Sequence, residues 1–318
     1  MRIVVLDGFS VDQGDIGWDE VAKLGEFTVY PRTQPDELRA RAAGAQALLT
    51  NKVILHREDI ESFTDLRYIG VLATGTNVID FEACRERKIA VTNVPAYTGT
   101  SVAQMVIAML LHFIEALPDY VTKVKQNAWA EAPDFCFLLH PRIELAGRTL
   151  AIFGMGSIGG KVADAARGLG MNVIAAEVPG SPSEGRVPLE AALAQADVVS
   201  LHCPLTERTR RMVDGRFLAR MKPGAIFINT SRGGLVDESA LLEALAQGRL
   251  GGALLDVLTE EPPSRDHPLL DPAAPWANRV IVLPHIAWAT VQARQRLIKT
   301  VADNLAAFQR GERLNRVD

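Results

Sequence analysis

Three kinds of polar side chain stand directly after apolar, strand-like runs in the second half of the chain. Arg232 follows "AIFIN", Glu260 and Glu261 follow "GALLDV", and His285 follows "VIVLP". An arginine fork binds a carboxylate through two parallel hydrogen bonds. A histidine exchanges protons near neutral pH, and a neighbouring carboxylate stabilises its protonated ring. Together they predict an arginine that anchors a carboxylate, a histidine that acts as the acid, and a glutamate that sets the pKa of the histidine. Taken singly, the arginine could form a surface ion pair, the glutamate could be a loop residue, and the histidine could be a packed ring.

A glycine-rich turn precedes these residues. "TLAIFGMGSIGG" places Gly154, Gly156 and Gly159 in the GxGxxG pattern between a strand-like run and a helix-like one. Gly154 permits the tight turn, Gly156 lets the backbone approach a pyrophosphate, and Gly159 lets the helix pack on the strand. Ser157 and Ile158 open that helix, whose free N–H groups favour phosphate. The motif predicts a dinucleotide site, although a glycine-rich turn also occurs in other α/β proteins.

An acidic residue follows at the distance that a dinucleotide site requires. Glu177 ends the next strand-like run, eighteen residues beyond Gly159. Its carboxylate is expected to accept hydrogen bonds from ribose hydroxyls and to repel a 2′-phosphate, which favours NAD over NADP. Arg186, folding back, would weaken this preference. A nicotinamide cofactor implies hydride transfer, so the anchor, acid and partner above fit the reduction of a 2-keto acid.

The elements that must position these residues alternate along almost the whole chain. Continuous apolar strands separated by helical patterns predict two doubly wound parallel-sheet domains of the α/β class. We predict one domain from residues 1–98 plus 288–318, and an inserted dinucleotide-binding domain over residues 99–287. "SVAQMVIAMLLHFIEAL", from Ser101, is apolar nearly all round, which predicts a helix buried on every side or meeting a second subunit.

Composition excludes several classes of protein. The 318 residues are 48% hydrophobic and 23% charged, with a formal net charge of −4 and no block of basic residues, so no nucleic-acid partner is expected. Three isolated cysteines indicate a reducing compartment and no structural metal site. We expect neither a secretory signal nor a membrane-spanning helix, and therefore a soluble, cytoplasmic protein.

Several motifs together resemble the D-2-hydroxyacid dehydrogenases over almost the full length. They are "GMGSIG", "HCPLTERTRRMVD", "MKPGAIFINTSRGGLVDESALLEAL", "GGALLDVLTEEPP" and "LPHIAW". The stretches "NKVIL", "ATGTNVID" and "HIAWAT" are most similar to the glycerate dehydrogenase/hydroxypyruvate reductase branch. The resemblance implies a flavodoxin-like substrate domain, a Rossmann NAD-binding domain and a homodimer in which the apolar helix takes part. Because the chain ends soon after its last predicted helix, we expect no appended regulatory domain.

The resemblance also implies roles for individual residues. Arg232 would bind the substrate carboxylate and carbonyl, and His285 would exchange the proton. Glu261, immediately before Pro262, would be the histidine's partner. Further substrate contacts would come from Lys52, the backbone amides of Thr74 and Gly75, and Trp288. The alternative for Trp288 is a packing role without contact to the substrate. Further cofactor contacts would come from Cys203, Pro204, Thr230 and Asp256. His202 is interpreted as structural.

Two positions depart from the family pattern, and the function has alternatives. Ser157 stands where many relatives carry arginine, and Glu177, which has the longer side chain, replaces the more usual aspartate. The leading hypothesis is NAD-dependent reduction of hydroxypyruvate or glyoxylate to D-glycerate or glycolate. Alternatives are dehydrogenases of phosphoglycerate, D-lactate or formate, and an NAD(H)-sensing, corepressor-like binding protein that keeps the fold.

Overall fold

The computed structural model describes residues 1–181 and 183–318. The chain divides into two compact units. The first unit is Met1–Thr98 with Trp288–Asp318, and the second is Gly99–Ala287. Each unit is built on one fully parallel sheet. This architecture confirms the predicted fold class.

The described residues form eleven strands, which alternate with helices as the sequence predicts. The strands are β1 (Arg2–Val5), β2 (Glu26–Val29), β3 (Ala47–Thr50), β4 (Tyr68–Val71), β5 (Ala90–Thr92), β6 (Thr149–Phe153), β7 (Asn172–Ala176), β8 (Val198–Leu201), β9 (Ala225–Asn229), β10 (Leu250–Leu255) and β11 (Val280–Val282). The helices are α1 (Asp19–Ala22), α2 (Leu38–Ala42), α3 (Arg57–Ser62), α4 (Phe81–Glu86), α5 (Gly99–Glu115), α6 (Leu117–Lys125), α7 (Ser157–Gly168), α8 (Leu189–Gln195), α9 (Gly215–Arg220), α10 (Glu238–Ala246) and α11 (Val291–Gln309).

The first unit carries a five-stranded sheet in the order β2-β1-β3-β4-β5. This is the doubly wound order of flavodoxin-like proteins. Successive side chains of a strand point to opposite faces, and two separate apolar clusters form accordingly. One contains Ile3 and packs under α1 and α11, and the other contains Val4 and packs under α2, α3 and α4. Helix α11 thus returns to this unit from the far end of the chain.

The second unit carries a six-stranded sheet in the order β11-β10-β9-β8-β6-β7. An isolated parallel bridge between Ala176 and Val187 continues the sheet one position beyond β7. With that bridge, the strands on either side of β6 follow the order of a Rossmann fold. One face packs against α5 and α7, and the other packs against α8, α9 and α10. The carboxyl ends of β6 to β11 therefore share one edge, which carries the predicted catalytic and cofactor residues of this unit.

Helix α5 departs from its prediction. Val102, Val106 and Leu110 are buried, but Gln104, Ala108 and His112 are exposed. The spacing i, i+4, i+8 places these three residues on one face of the helix. The prediction of burial on every side is therefore wrong for the single chain, because one side of α5 carries polar or small residues that no other element of the described structure covers.

No single helix among the described residues is both long and apolar enough to cross a membrane. Helices α5 and α6 meet the length and composition criteria only as a pair, with a bend of 53° between them.

Candidate active site

His285 and Glu261 form the centre of the candidate site. Nδ1 of His285 lies 2.7 Å from Oε2 of Glu261. The other carboxylate oxygen of Glu261 accepts the backbone N–H of Leu258 at 3.0 Å, which fixes the carboxylate in this orientation. The two side chains remain 29% and 35% exposed. A group that exchanges a proton with a substrate must be fixed in orientation and also accessible to that substrate, and this pair meets both conditions.

A buried aspartate at the end of β10 holds the backbone on which His285 stands. The carboxylate of Asp256 accepts the N–H groups of Ile286 at 2.8 Å and Ala287 at 2.9 Å, and its carbonyl accepts the N–H of His285 at 2.9 Å. His285 adopts a φ of 56°, which non-glycine residues rarely do and which often marks a functional site. Burial raises the pKa of Asp256, against the effect of the two amides. Its predicted contact with the nicotinamide stays a prediction.

Arg232 lies in the turn after β9. Asn229 shapes this turn: its Oδ1 accepts the N–H of Ser231 at 3.0 Å, and its Nδ2 donates to the Arg232 carbonyl at 2.9 Å. A Cβ added to Gly233 would lie 1.9 Å from the carbonyl oxygen of Leu258, so the two backbones are in close contact. Since Leu258 also donates to Glu261, the structure brings the Arg232 turn against the loop that leads to the His285–Glu261 pair. The guanidinium is exposed.

The glycine turn between β6 and α7 is shaped for a phosphate. Gly154 has a φ of 108°, and a Cβ there would lie 2.6 Å from the carbonyl carbon of His202. A Cβ on Gly159 would lie 2.0 Å from the carbonyl oxygen of Gly154, whereas Gly156 faces open space. Gly156 caps α7 without a side-chain hydrogen bond. The N–H groups of Ser157 and Ile158 in the first turn therefore have no acceptor within the helix.

A cavity of about 360 Å³ lies beside this turn, at the ends of β7 and β8. Its walls are Val178–Ser181 on one side and Pro204 with Thr206–Thr209 on the other. Glu177 directly precedes the first wall, and its N–H is bonded to Val187. The volume is within the range of small-ligand pockets. Its place, on the β7 side of the sheet and far from β11, suits the adenosine half of a dinucleotide rather than the reacting half.

Two buried polar atoms near the turn lack a hydrogen-bond partner among the described residues. They are Oγ1 of Thr230, just after β9, and Nδ1 of His202, just after β8. Unsatisfied buried groups are costly, and they often mark a place that a ligand completes. Nε2 of His202 contacts Ser200 Oγ at 2.9 Å. Together with the glycine turn, these atoms fit a bound dinucleotide, whose nicotinamide end supplies the chemistry of hydride transfer.

Cys203 is placed by its backbone rather than by its thiol. Its carbonyl accepts the hydroxyl of Ser231 at 2.7 Å, which ties the end of β8 to the Arg232 turn. The side chain is buried, and burial raises the pKa of its thiol to about 11. The neutral thiol is not a nucleophile at physiological pH.

The remaining predicted residues belong to the first unit. In the described part of that unit, the backbone N–H groups of Thr74 and Gly75 donate to no protein acceptor, while the Thr74 hydroxyl is bonded to the Val94 carbonyl at 2.8 Å. Lys52 has an exposed side chain. Trp288 contacts Tyr97 with ring centroids 6.4 Å apart and packs against the apolar core.

Of the cavity walls, sequence reasoning had named only Pro204, and it also missed one aspartate, Asp7. The first wall, "VPGS", looks like an ordinary turn, and the second, "TERT", looks like a polar loop. Both follow strand ends on either side of the glycine turn, and that position is the signal that could have found them. Asp7 stands after β1 as Asp256 stands after β10, so a polar residue at a strand end was again the available signal. Within residues 1–181 and 183–318, no cluster of His, Cys, Asp and Glu is suited to hold a metal ion.

Comparison with known proteins places the chain in a family. The family model described as "D-isomer specific 2-hydroxyacid dehydrogenase, NAD binding domain" matches residues 107–287. Hydroxypyruvate reductase of Blautia hydrogenotrophica is 39% identical over the whole of both chains, and glycerate dehydrogenase of Methylorubrum extorquens is 40% identical over 92% of each. A solved protein of Thermus thermophilus aligns over the whole of both chains with a TM-score of 0.85 and 34% identity. The chain belongs to the D-isomer-specific 2-hydroxyacid dehydrogenase family and is an NAD-dependent oxidoreductase that acts on small 2-hydroxy and 2-keto acids.

Proposed function

We propose that the protein reduces hydroxypyruvate or glyoxylate to D-glycerate or glycolate. The observation that carries this proposal is the 2.7 Å contact between His285 and Glu261, beside the turn that bears Arg232. Such a group of residues suits a substrate with a carboxylate next to a carbonyl. The relatives named hydroxypyruvate reductase and glycerate dehydrogenase support the choice of a three-carbon acid, and a relative named glyoxylate reductase supports the two-carbon acid.

Three side chains of the second unit carry the proposed reaction. The Arg232 guanidinium binds the substrate carboxylate and polarises the carbonyl. Because Nδ1 of His285 faces Glu261, we assign Nε2 as the atom that donates a proton to the carbonyl oxygen during reduction. The carboxylate of Glu261 orients the ring and stabilises its positive charge. In the oxidative direction, the same nitrogen accepts the proton.

Further contacts complete the proposal. Gly154, Gly156, Ser157, Ile158 and Gly159 form the pyrophosphate site. Glu177 binds the adenosine ribose, and its negative charge disfavours NADP. Cys203, Pro204, Thr230 and Asp256 border the cofactor. In the first unit, Lys52 and the unbonded amides of Thr74 and Gly75 bind the substrate, and Trp288 borders it.

A panel of 2-keto acids tests the substrate proposal. The purified protein is mixed with NADH or NADPH and with hydroxypyruvate, glyoxylate, pyruvate or phosphohydroxypyruvate, and NAD(P)H oxidation is followed by absorbance. The highest kcat/KM is expected for hydroxypyruvate or glyoxylate with NADH. A preference for the phosphorylated acid or for pyruvate would overturn the substrate assignment. The sensor alternative would be favoured if the protein binds NADH but reduces none of these acids, and also does not oxidise formate with NAD.

We further propose that the protein is a cytoplasmic homodimer. Residues 117–143, here called the arm, expose several large apolar side chains, among them Phe135 at 88% and Leu138 at 76%. The arm is nevertheless held by hydrogen bonds of its own, such as Trp129 Nε1 to the Phe135 carbonyl at 2.9 Å. An ordered apolar surface of this kind is typical of an interface between subunits. All three cysteines are free, which supports a reducing compartment.

A further inference from the structure

Asp7 is a buried carboxylate that the proposed reaction does not use. It stands two residues after β1 and is 7% exposed. Its oxygens accept the backbone N–H groups of three consecutive residues in the loop after β3: Asn51 at 2.9 Å, Lys52 at 2.5 Å and Val53 at 3.3 Å. Burial raises the pKa of Asp7, while these amides and the charge of Lys52 act in the opposite direction. A buried charge is costly, and its three N–H donors indicate what it is retained for.

The same loop is held from a second side. Nδ2 of Asn51 donates to Ser10 Oγ at 2.9 Å, and the Ser10 hydroxyl donates to the carbonyl of Asp7 at 2.8 Å. Thr50 Oγ1 donates to the carbonyl of Val53 at 3.0 Å. The backbone at residues 51–53 is therefore fixed at several points, while the side chain of Lys52 remains exposed. The ammonium group is presented from a rigid base.

We propose that Asp7 is a positioning residue that holds the loop Asn51–Val53 so that Lys52 meets the substrate carboxylate. This inference rests on the proposed substrate contact of Lys52. The arrangement has a counterpart in the second unit, where Asp256 holds the backbone of His285 through two amides. Each sheet thus uses a buried aspartate at a strand end to fix the loop that bears a functional side chain. A fixed loop loses less conformational entropy when it binds the substrate.

Asp7→Asn tests this role, because one amide oxygen replaces two carboxylate oxygens and the amide NH2 group opposes the loop's own donors. The expected result is a rise of about tenfold or more in the KM for the preferred keto acid. The kcat and the Kd for NADH are expected to change by about twofold at most. A purely structural role would lower the thermal stability and leave the KM of the folded protein unchanged, which would overturn the inference.

A matched control is available in the same unit. Asp12 also accepts backbone N–H groups, those of Gly14 to Gly17, but these do not belong to the Lys52 loop. Asp12→Asn is expected to leave the KM unchanged. An equal rise in KM for both variants would contradict a specific action of Asp7 on Lys52.

A double-mutant comparison separates this inference from the proposed function. Lys52→Met is expected to raise the KM, and adding Asp7→Asn to it should change the KM by less than about twofold. If Lys52→Met leaves the KM unchanged, the proposed substrate contact of Lys52 is wrong, and the inference is wrong with it. If Lys52→Met raises the KM and Asp7→Asn does not, only the role of Asp7 is overturned. Should Asp7→Asn fail to fold, Ser10→Ala loosens the same loop, and an unchanged KM in that variant would overturn the inference.

Discussion

At the scale of single residues, the candidate site depends on a few hydrogen bonds between distant parts of the chain. Glu260 and Glu261 are adjacent in sequence, yet it is the Glu261 carboxylate that contacts His285. Its second oxygen is held by the Leu258 amide, so the carboxylate cannot rotate freely. The backbone of His285 is in turn held by Asp256. In the proposed mechanism, this support lets His285 act as a directed proton donor.

His285→Asn is expected to reduce kcat for keto-acid reduction by a factor of about 10² to 10⁴, because the proton donor to the carbonyl oxygen is lost. NADH binding should change little. Steady-state kinetics and fluorescence titration with NADH measure the two quantities. A variant that loses NADH binding instead would contradict the role assigned to this ring.

The neighbouring glutamates provide a matched pair. Glu261→Gln is expected to reduce kcat/KM by about 10- to 100-fold, since the ring loses the charge that orients it and stabilises its protonated form. The rate of reduction falls as the pH rises and the histidine loses its proton, and this fall should occur at a lower pH than in the parent protein. Glu260→Gln, at an exposed position with no contact to His285 in the described structure, should retain both properties. Equal effects of the two substitutions would contradict the assignment of Glu261 as the partner of His285.

The buried ring of His202 is expected to make the stability of the protein depend on pH. Burial lowers its pKa to about 4 from an ordinary value of 6.5. Between these pH values the unfolded chain binds a proton that the folded chain does not, so the free energy of unfolding falls as the pH falls, by up to about 3 kcal/mol. His202→Gln should remove this contribution. Urea denaturation at pH 7, 5.5 and 4.5 measures it, and the pH dependence should be steeper for the parent than for the variant.

At the scale of elements, glycines bring backbones together where side chains would separate them. Gly159 lets α7 start against the turn after β6, and Gly233 lets the Arg232 turn contact the loop after β10. Ordinary helix signals act beside them. Asp237, for example, caps α10 by accepting the N–H groups of Ser239 and Ala240.

Gly233→Ala is expected to lower kcat/KM by tenfold or more, because the added methyl group would meet the Leu258 carbonyl and move the Arg232 turn away from Glu261. Kinetic assays together with a thermal melt measure the effect. Gly215→Ala, in a position where an added Cβ has nothing within 4 Å, is the control and should keep full activity. Full activity of the Gly233 variant would argue against close packing of these loops as a requirement.

At the scale of the whole molecule, the proposed dimer would bury the exposed arm and the exposed side of α5. Phe135, Leu138 and Trp129 expose apolar area that a monomer seldom leaves in contact with water. A stable dimer requires a total buried area on the order of 1,000 Å² or more.

Phe135→Asp combined with Leu138→Asp is expected to shift the protein from dimer to monomer, because two charges would be buried in an apolar interface. Sedimentation velocity measures the change. Leu270→Asp, at an apolar position that is 40% exposed outside the arm, is the matched control and should leave the mass in solution unchanged. A parent protein that sediments as a monomer would rule out the proposed dimer.

The sequence by itself determined the alternation of strands and helices, the glycine turn and the polar residues that follow strand ends. These features depend on neighbouring residues, whose spacing is readable along the chain. The family resemblance predicted Glu261 as the partner of His285, but only the tertiary structure shows the contact. The tertiary structure alone decided that a cavity of about 360 Å³ lies between residues 178–181 and 204–209, and that Asp7 holds the Lys52 loop. It also showed that one side of α5 is exposed. The partners of these hydrogen bonds are 24 to 46 residues apart, and they meet only because the parallel strands pack in register and end at one edge.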